Sequence, residues 1–367
     1  MTTSPPPLAT TPTPVRLSPA LGATGRPPSI KPRGVHNGGL PVEAKALARW
    51  QALVAGRQLR RTLSVTTLAP GMVGVRLHAW PSFVDRVGLQ DTVVGQPATD
   101  GSATATRRLD WISLDPSRFS GRVVQGDGLL DTSLPPEDGQ PNLACVRLSG
   151  GYFNFLQRAC PDRPEHLSIG PSRGRGGALR AALPLPTAYA GDYCELAFPD
   201  GSSLACAPLL GEQGEPVFAA RADGDPRYRL PPDFSFERGD QVAPGVLWHA
   251  HDANPRAAIS VPTVTGKGAR IRLVAAPMDQ RTCAGSGWTL SAFSGALARL
   301  DRLQDPPNVS LNLDGGESVA LSAWAGGRPL LDSRQTLRPR RVGNLIEFRA
   351  TPPSRSPRLV RCVKLGS

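Results

Sequence analysis

The chain has 367 residues, 40% of them hydrophobic and 20% charged, with a formal net charge of +12. That length supplies one large core or two modest domains, and no stretch approaches the roughly 18 uninterrupted apolar residues of a membrane helix, which excludes a helical span. The positive charge raises nucleic acid as a partner, but Lys31, Lys45, Lys267 and Lys364 are the only lysines. The remaining basic residues are arginines, with no long basic run and no aromatic–basic alternation, so a GC-rich coding bias accounts for much of the charge and no nucleic-acid partner is expected.

Residues 1 to about 40 are rich in Pro, Ser, Thr and Gly. Such a segment buries too little apolar surface to offset its ordering entropy, so disorder is expected there. It has no apolar h-region, hence no recognisable signal peptide. Export without one is expected, with a cytoplasmic location as the alternative. The fold is expected to begin at "PVEAKALARWQALVAGRQLRR", residues 41–61, as a helix with Leu47, Trp50 and Val54 on one face. Strand-like runs follow: "RTLSVTTLA", "MVGVRLHAW", "LACVRLSGGYF", "DYCELAF" and "SLACAPLL". Of the six cysteines, Cys194 and Cys206 flank a hairpin centred on Pro199-Asp200-Gly201. Facing strands there either bridge the pair or bury two free thiols. "PRAAISVPTVTGKGARIRLVAAP" reads as a second hairpin. "GWTLSAFSGALARLDRLQDPP" reads as a helix capped by Thr289 or Ser291, with Phe293, Leu297 and Leu300 on one face and Pro306-Pro307 at its end. The strand "NVSLNL" then runs into Asp314-Gly315-Gly316 and Glu317.

An acid followed by two glycines at a strand end is a tight turn or a place where backbone approaches a ligand. A similar corner, Ser149-Gly150-Gly151, ends an earlier strand, and Arg256 stands on a strand between them. Together these segments resemble the phosphodiester glycosidase family, which cleaves sugar-1-phosphodiesters. The family's Asn-Gly-Gly-Tyr/Phe-Phe-Asn motif corresponds to Ser149-Gly150-Gly151-Tyr152-Phe153-Asn154. Its Asn-Pro-Arg strand corresponds to Asn254-Pro255-Arg256, preceded by His249 and His251. Its Gly-Met-Thr-Leu helix start corresponds to "GWTL". Its Leu-Asn-Leu-Asp-Gly-Gly-Gly-Ser motif corresponds to Leu311–Ser318, with Glu317 in place of the third glycine. Its Arg-x-Val-x-Asn segment corresponds to "RRVGN", starting at Arg340. The motifs occur in family order across roughly residues 140–350.

The resemblance implies an α+β fold: a large mixed β-sheet domain over residues 41–367 with few flanking helices, behind a disordered start. It implies a hydrolase whose substrate is a sugar-1-phosphodiester and which uses no cofactor; metal use and oligomeric state stay open. Chemically, such a site needs charge stabilisation at the phosphate and a carboxylate at the anomeric centre. Arg256 is the candidate phosphate clamp, since a guanidinium presents a planar fork of donors. Asp314 is the candidate acid/base, with Glu317 as a second carboxylate or a solvated turn residue. His249 and His251 would share one strand face as acid/base or hydrogen-bonding groups. Ser149, Gly150, Gly151, Asn154, Gly315, Gly316, Ser318 and Arg340 complete the expected substrate contacts, with the glycines making room for the ligand. A phosphosugar-binding protein without catalysis is the alternative from another class. No Gly-x-Ser-x-Gly, P-loop or Rossmann fingerprint occurs.

Overall fold

The computed structural model describes residues 63–79, 107–132, 143–218, 225–264, 268–278, 287–302, 308–334, 340–352 and 360–365. The expected disordered start and the helix at 41–61 lie outside them. In chain order the strands are β1 (Leu63–Ala69), β2 (Met72–Ala79), β3 (Arg107–Leu114), β4 (Phe119–Val124), β5 (Cys145–Ser149), β6 (Ser168–Ile169), β7 (Ser172–Arg173), β8 (Ala182–Leu183), β9 (Cys194–Ala197) and β10 (Ser203–Cys206). They continue with β11 (Leu209–Glu212), β12 (Glu215–Pro216), β13 (Arg256–Pro262), β14 (Ile271–Ala276), β15 (Asn308–Asn312), β16 (Ala320–Ala325), β17 (Arg328–Arg334), β18 (Leu345–Ala350) and β19 (Arg361–Lys364). Among the described residues the α-helices are the single turn α1 (Thr187–Ala190) and α2 (Leu290–Arg302).

The fold is α+β and mostly sheet. An eight-stranded sheet has the order β1-β2-β3-β14-β13-β15-β11-β12, a five-stranded sheet β17-β16-β5-β18-β4, and a four-stranded sheet β19-β9-β10-β7. These three sheets are antiparallel throughout rather than mixed, and β6–β8 is the one parallel pair among the described residues.

The central strands of the large sheet are covered on both faces, which explains their near-continuous apolar sequence. On one face Val75, Trp111, Val274 and Ala258 pack against Phe293, Leu297 and Leu300 of α2, the three residues whose 3–4 spacing marked the helix face. Thr289 starts that helix, its Oγ1 accepting the Ala292 N–H at 3.2 Å. On the other face Ile112, Ile259 and Leu273 pack against Val146, Leu321 and Phe348 of the five-stranded sheet and Leu196 and Leu204 of the four-stranded one.

Polar groups inside this core form a paired row. Ser260 and Ser310 sit opposite each other on β13 and β15, with their hydroxyls 2.6 Å apart. Ser310 donates to Asp301 at 2.8 Å, and Arg272 donates to the same carboxylate at 2.6 Å. The row fastens α2 to the sheet, and truncating one member would strand a buried charge or hydroxyl.

Both expected hairpins form. β13 and β14 pair from Arg256↔Ala276 to Ser260↔Arg272. In the other, Cys194 lies directly opposite Cys206, and both are buried free thiols. The run "SLACAPLL" is not one strand. It divides at Ala207-Pro208 into β10 and β11, which belong to different sheets. Pro208 has no N–H to continue a ladder.

Candidate active site

The two strand-end corners meet. β5 leaves the five-stranded sheet at Ser149, β15 leaves the large sheet at Asn312, and the Asp314 N–H donates to the Gly150 carbonyl at 2.8 Å. Beside this junction opens a cleft of about 360 Å³. Its walls include Tyr152, Phe155, Arg158, Trp248, His249, Arg256, Asp314, Gly315, Gly316, Glu317 and Arg340.

Arg256 begins β13 and is 4% exposed. Its Nε donates to the Trp288 carbonyl, and its Nη2 donates to the carbonyls of His249 and Asp252, each at 2.7 Å. Three of five donors are thereby fixed, which locks the guanidinium plane. The two N–H bonds of Nη1 have no protein acceptor among the described residues. Burial lowers the guanidinium pKa to about 10, with Tyr152 and Asp252 acting to raise it, so the group remains a cation at neutral pH.

Asp314 faces the same cleft. Burial raises its pKa from 3.8 to about 6, while the Ser318 hydroxyl, the charge of Arg340 and the Gly315 N–H draw it back. Its Oδ2 is sealed from solvent with no hydrogen-bond partner, and the Ser318 hydroxyl, also buried, stops short of completing a bond. A carboxyl poised near neutrality in the same cleft as a fixed cation is an arrangement suited to proton transfer.

Glu317 sits at the rim. Its side chain is 64% exposed and accepts from Arg340 Nη2 at 2.9 Å. The Arg340 guanidinium in turn covers the Phe155 ring, 3.7 Å from its centroid. Of the two readings of Glu317, the geometry favours a solvated turn residue that orients Arg340.

The histidines do not share a strand face. Residues 248–252 form turns and bends ahead of β13. His249 stacks on Trp248 at the cleft wall, with Nδ1 2.8 Å from Asp252 Oδ2. Burial depresses its pKa although the Asp252 bond opposes this, which keeps the ring neutral at pH 7. His251 instead packs edge-on against Tyr228, and its Nε2 is buried without a partner.

Four of the expected contacts, Asn154, Ser149, Gly150 and Gly151, are not among the residues that line the cleft. Asn154 is buried and staples the loop that follows it: Nδ2 donates to the carbonyls of Cys160 and Arg163 at 2.8 and 3.0 Å, and Oδ1 accepts the Cys160 N–H at 3.0 Å. Ser149 is fully buried and its hydroxyl has no partner. The first glycine pair makes room for the protein itself. A Cβ on Gly150 would collide with the Asn344 side chain, and one on Gly151 would lie 2.5 Å from the Ala205 carbonyl. Gly315 lines the cleft, but a Cβ added to it would lie 2.8 Å from the Pro255 carbonyl. Of the four expected glycines, Gly316 is the one that combines a turn conformation, φ +61°, with open space beside it.

Phe155, Arg158 and Trp248 were not singled out by sequence, and Tyr152 was named only as part of the first motif. For Tyr152 the visible signal was its place directly after the two glycines. Arg158 lies 4.1 Å from the Phe236 ring centroid and 5.5 Å from that of Phe155. Arg158, Arg256 and Arg340 thus give the cleft three cations against the carboxyls of Asp314 and Glu317. Among the described residues, no group of three or more His, Cys, Asp and Glu side chains is placed to hold a metal ion, and no helix is long and apolar enough to cross a membrane.

No family model and no curated protein matches the chain. Solved structures that resemble it at low sequence identity include the following two. One is a hypothetical protein from Synechocystis, 14% identical with a TM-score of 0.40, matched over 79% of this chain and 64% of that one, so the present chain spans just under two thirds of its length. The other, from Burkholderia pseudomallei K96243, carries the description "Putative exported protein"; it is 13% identical with a TM-score of 0.42, matched over 79% of this chain and 96% of that one.

Proposed function

We propose that this chain is a phosphodiester glycosidase, hydrolysing the glycosidic bond of a sugar-1-phosphodiester. The observation that carries the reading is the convergence of Asp314 and Arg256 on one cleft. The carboxyl holds its proton up to about pH 6, and the guanidinium is locked by three carbonyls with one edge to spare. Aromatic walls suit a sugar ring, and the three arginines suit its phosphate.

In this reading Nη1 of Arg256 holds a nonbridging phosphate oxygen. Water adds to the anomeric carbon as the bond from that carbon to the phosphate oxygen breaks. The bonding pair leaves with the phosphomonoester, the anomeric carbon keeps the water oxygen, and the water proton passes to the Asp314 carboxylate. Arg158 and Arg340 lower the cost of the charge gathering on the leaving phosphate. Acceptable substrates are therefore glycans, envelope polymers or nucleotide-like molecules with this linkage, and an exported setting is proposed with the first two.

The test is hydrolysis of a panel of sugar-1-phosphodiesters by the purified protein, with Asp314→Asn in parallel. Release of free sugar and phosphomonoester by the wild type alone is expected. Equal turnover by both proteins would end the assignment of Asp314, and turnover by neither would end the hydrolase reading.

A further inference from the structure

Tyr152 directly follows the first glycine corner, and its ring lies edge-on to Tyr193 with centroids 6.5 Å apart. It lines the cleft beside Arg256 and Asp314, and both charges act on its hydroxyl. Its hydroxyl oxygen accepts from Asn312 Nδ2 at 2.8 Å. That amide cannot be turned over to make Asn312 the acceptor, because Nδ2 also faces the carbonyls of Ala207 and Leu313 at 2.9 Å each. An oxygen placed there would meet two others, so the nitrogen orientation is fixed. An amide nitrogen accepts nothing. The phenolic hydrogen is therefore left with no protein acceptor among the described residues, on a side chain that borders the cleft. Burial and the neighbouring Asp314 charge raise the phenol's pKa above its ordinary value, so it keeps that hydrogen at neutral pH.

We propose that Tyr152 is a ligand-binding residue whose hydroxyl donates to a nonbridging oxygen of a bound phosphate group, beside Nη1 of Arg256. One donor is a cation and the other neutral, and both are held from behind: Arg256 by three carbonyls, Tyr152 by Asn312. Two pre-oriented donors on one anion give it a single orientation, which a lone guanidinium does not. The assignment rests on the phosphate half of the proposed function and not on bond cleavage.

The experiment is calorimetric titration of wild type and Tyr152→Phe with inorganic phosphate, with turnover of any cleaved diester measured on the same preparations. Phenylalanine keeps the ring and its Tyr193 contact, and equal melting temperatures confirm the fold. Loss of one hydrogen bond to a charged acceptor predicts phosphate binding weakened by about tenfold, and a similar drop in kcat/KM. Equal phosphate affinity in the two proteins, or no phosphate binding by the wild type, overturns the inference. Weakened phosphate binding with no diester cleaved by the wild type would sustain it while removing the hydrolase reading. As a check that needs no variant, wild-type crystals soaked in phosphate must place a phosphate oxygen about 3 Å from the Tyr152 hydroxyl; a phosphate bound in the cleft away from it refutes the proposal.

Discussion

Asp314→Asn should make the protein more stable, and by an amount that depends on pH. The native carboxyl titrates at about 6 instead of 3.8, so the charged form is disfavoured in the folded state. Below pH 3.8 both states hold the proton and the site costs nothing. Between the two values the unfolded chain has lost its proton while the native one keeps it. The unfolded state then binds fewer protons, and stability falls as pH rises. Above pH 6 the penalty is complete. A shift of this size corresponds to about 3 kcal/mol at full expression, an upper figure for a side chain that is not wholly enclosed. Asparagine removes the titration and keeps the shape. Urea unfolding of both proteins from pH 4 to pH 8 should show near-equal stability at the acid end and an advantage for the variant that grows through pH 6 and then levels. A difference independent of pH, or one favouring the wild type at pH 8, would refute the account of Asp314 as a buried, destabilised carboxylate. The same variant loses turnover under the proposed function, so stability and activity should move in opposite directions.

Arg256→Lys keeps a cation but satisfies at most some of three buried carbonyls; a loss of about 1–3 kcal/mol by chemical denaturation and at least a tenfold fall in turnover are expected. Glu317→Gln weakens only an exposed pair, so stability should change by less than about 1 kcal/mol and turnover by less than threefold; a loss matching Asp314→Asn would restore Glu317 as a catalytic carboxylate. Gly150→Ala forces the Asn344 side chain out of a buried position and should lower the melting temperature through a cost of about 2 kcal/mol or more. Asn154→Ala removes the staple of the loop after it and should speed proteolytic cleavage within 155–166 while leaving the sheets intact.

Local signals in the sequence carried the elements. Apolar runs on either side of Thr265-Gly266-Lys267-Gly268 marked β13 and β14, spacing marked the α2 face, and Pro199-Asp200-Gly201 marked the turn, where Asp200 Oδ1 accepts from the Ser202 N–H at 2.9 Å. Sheet membership was not legible, because β5 pairs with β16 and β18 far along the chain and no local pattern encodes such a partner. The site divided in the same way. Motif order brought Asp314 and Arg256 together, and the structure places both at one cleft, with Glu317 at its rim. Asn154, Gly150 and Gly151 were misassigned as ligand contacts, because a residue demanded by tight chain packing looks the same in sequence as one demanded by a ligand. The histidine pair was misread because a period of two implies a shared face only on a strand, and residues 248–252 are turns.

The bond from the Asp314 N–H to the Gly150 carbonyl joins two strand ends from different sheets. The cleft is therefore a seam, with Asp314 and Arg256 carried by the large sheet and Tyr152 by the chain leaving the five-stranded one. Its width is set by how the two sheets rest on each other, through Ile259, Leu273, Val146 and Leu321 in the layer between them. Close-packed interiors transmit a change in volume as displacement. Altering the bulk of that layer would thus act like turning the screw of a vice, changing the distance between the jaws without touching either face. Under the proposed function, affinity for a ligand of fixed size would become a reading of core packing, and side chains that never meet the ligand would acquire a say in which ligands fit.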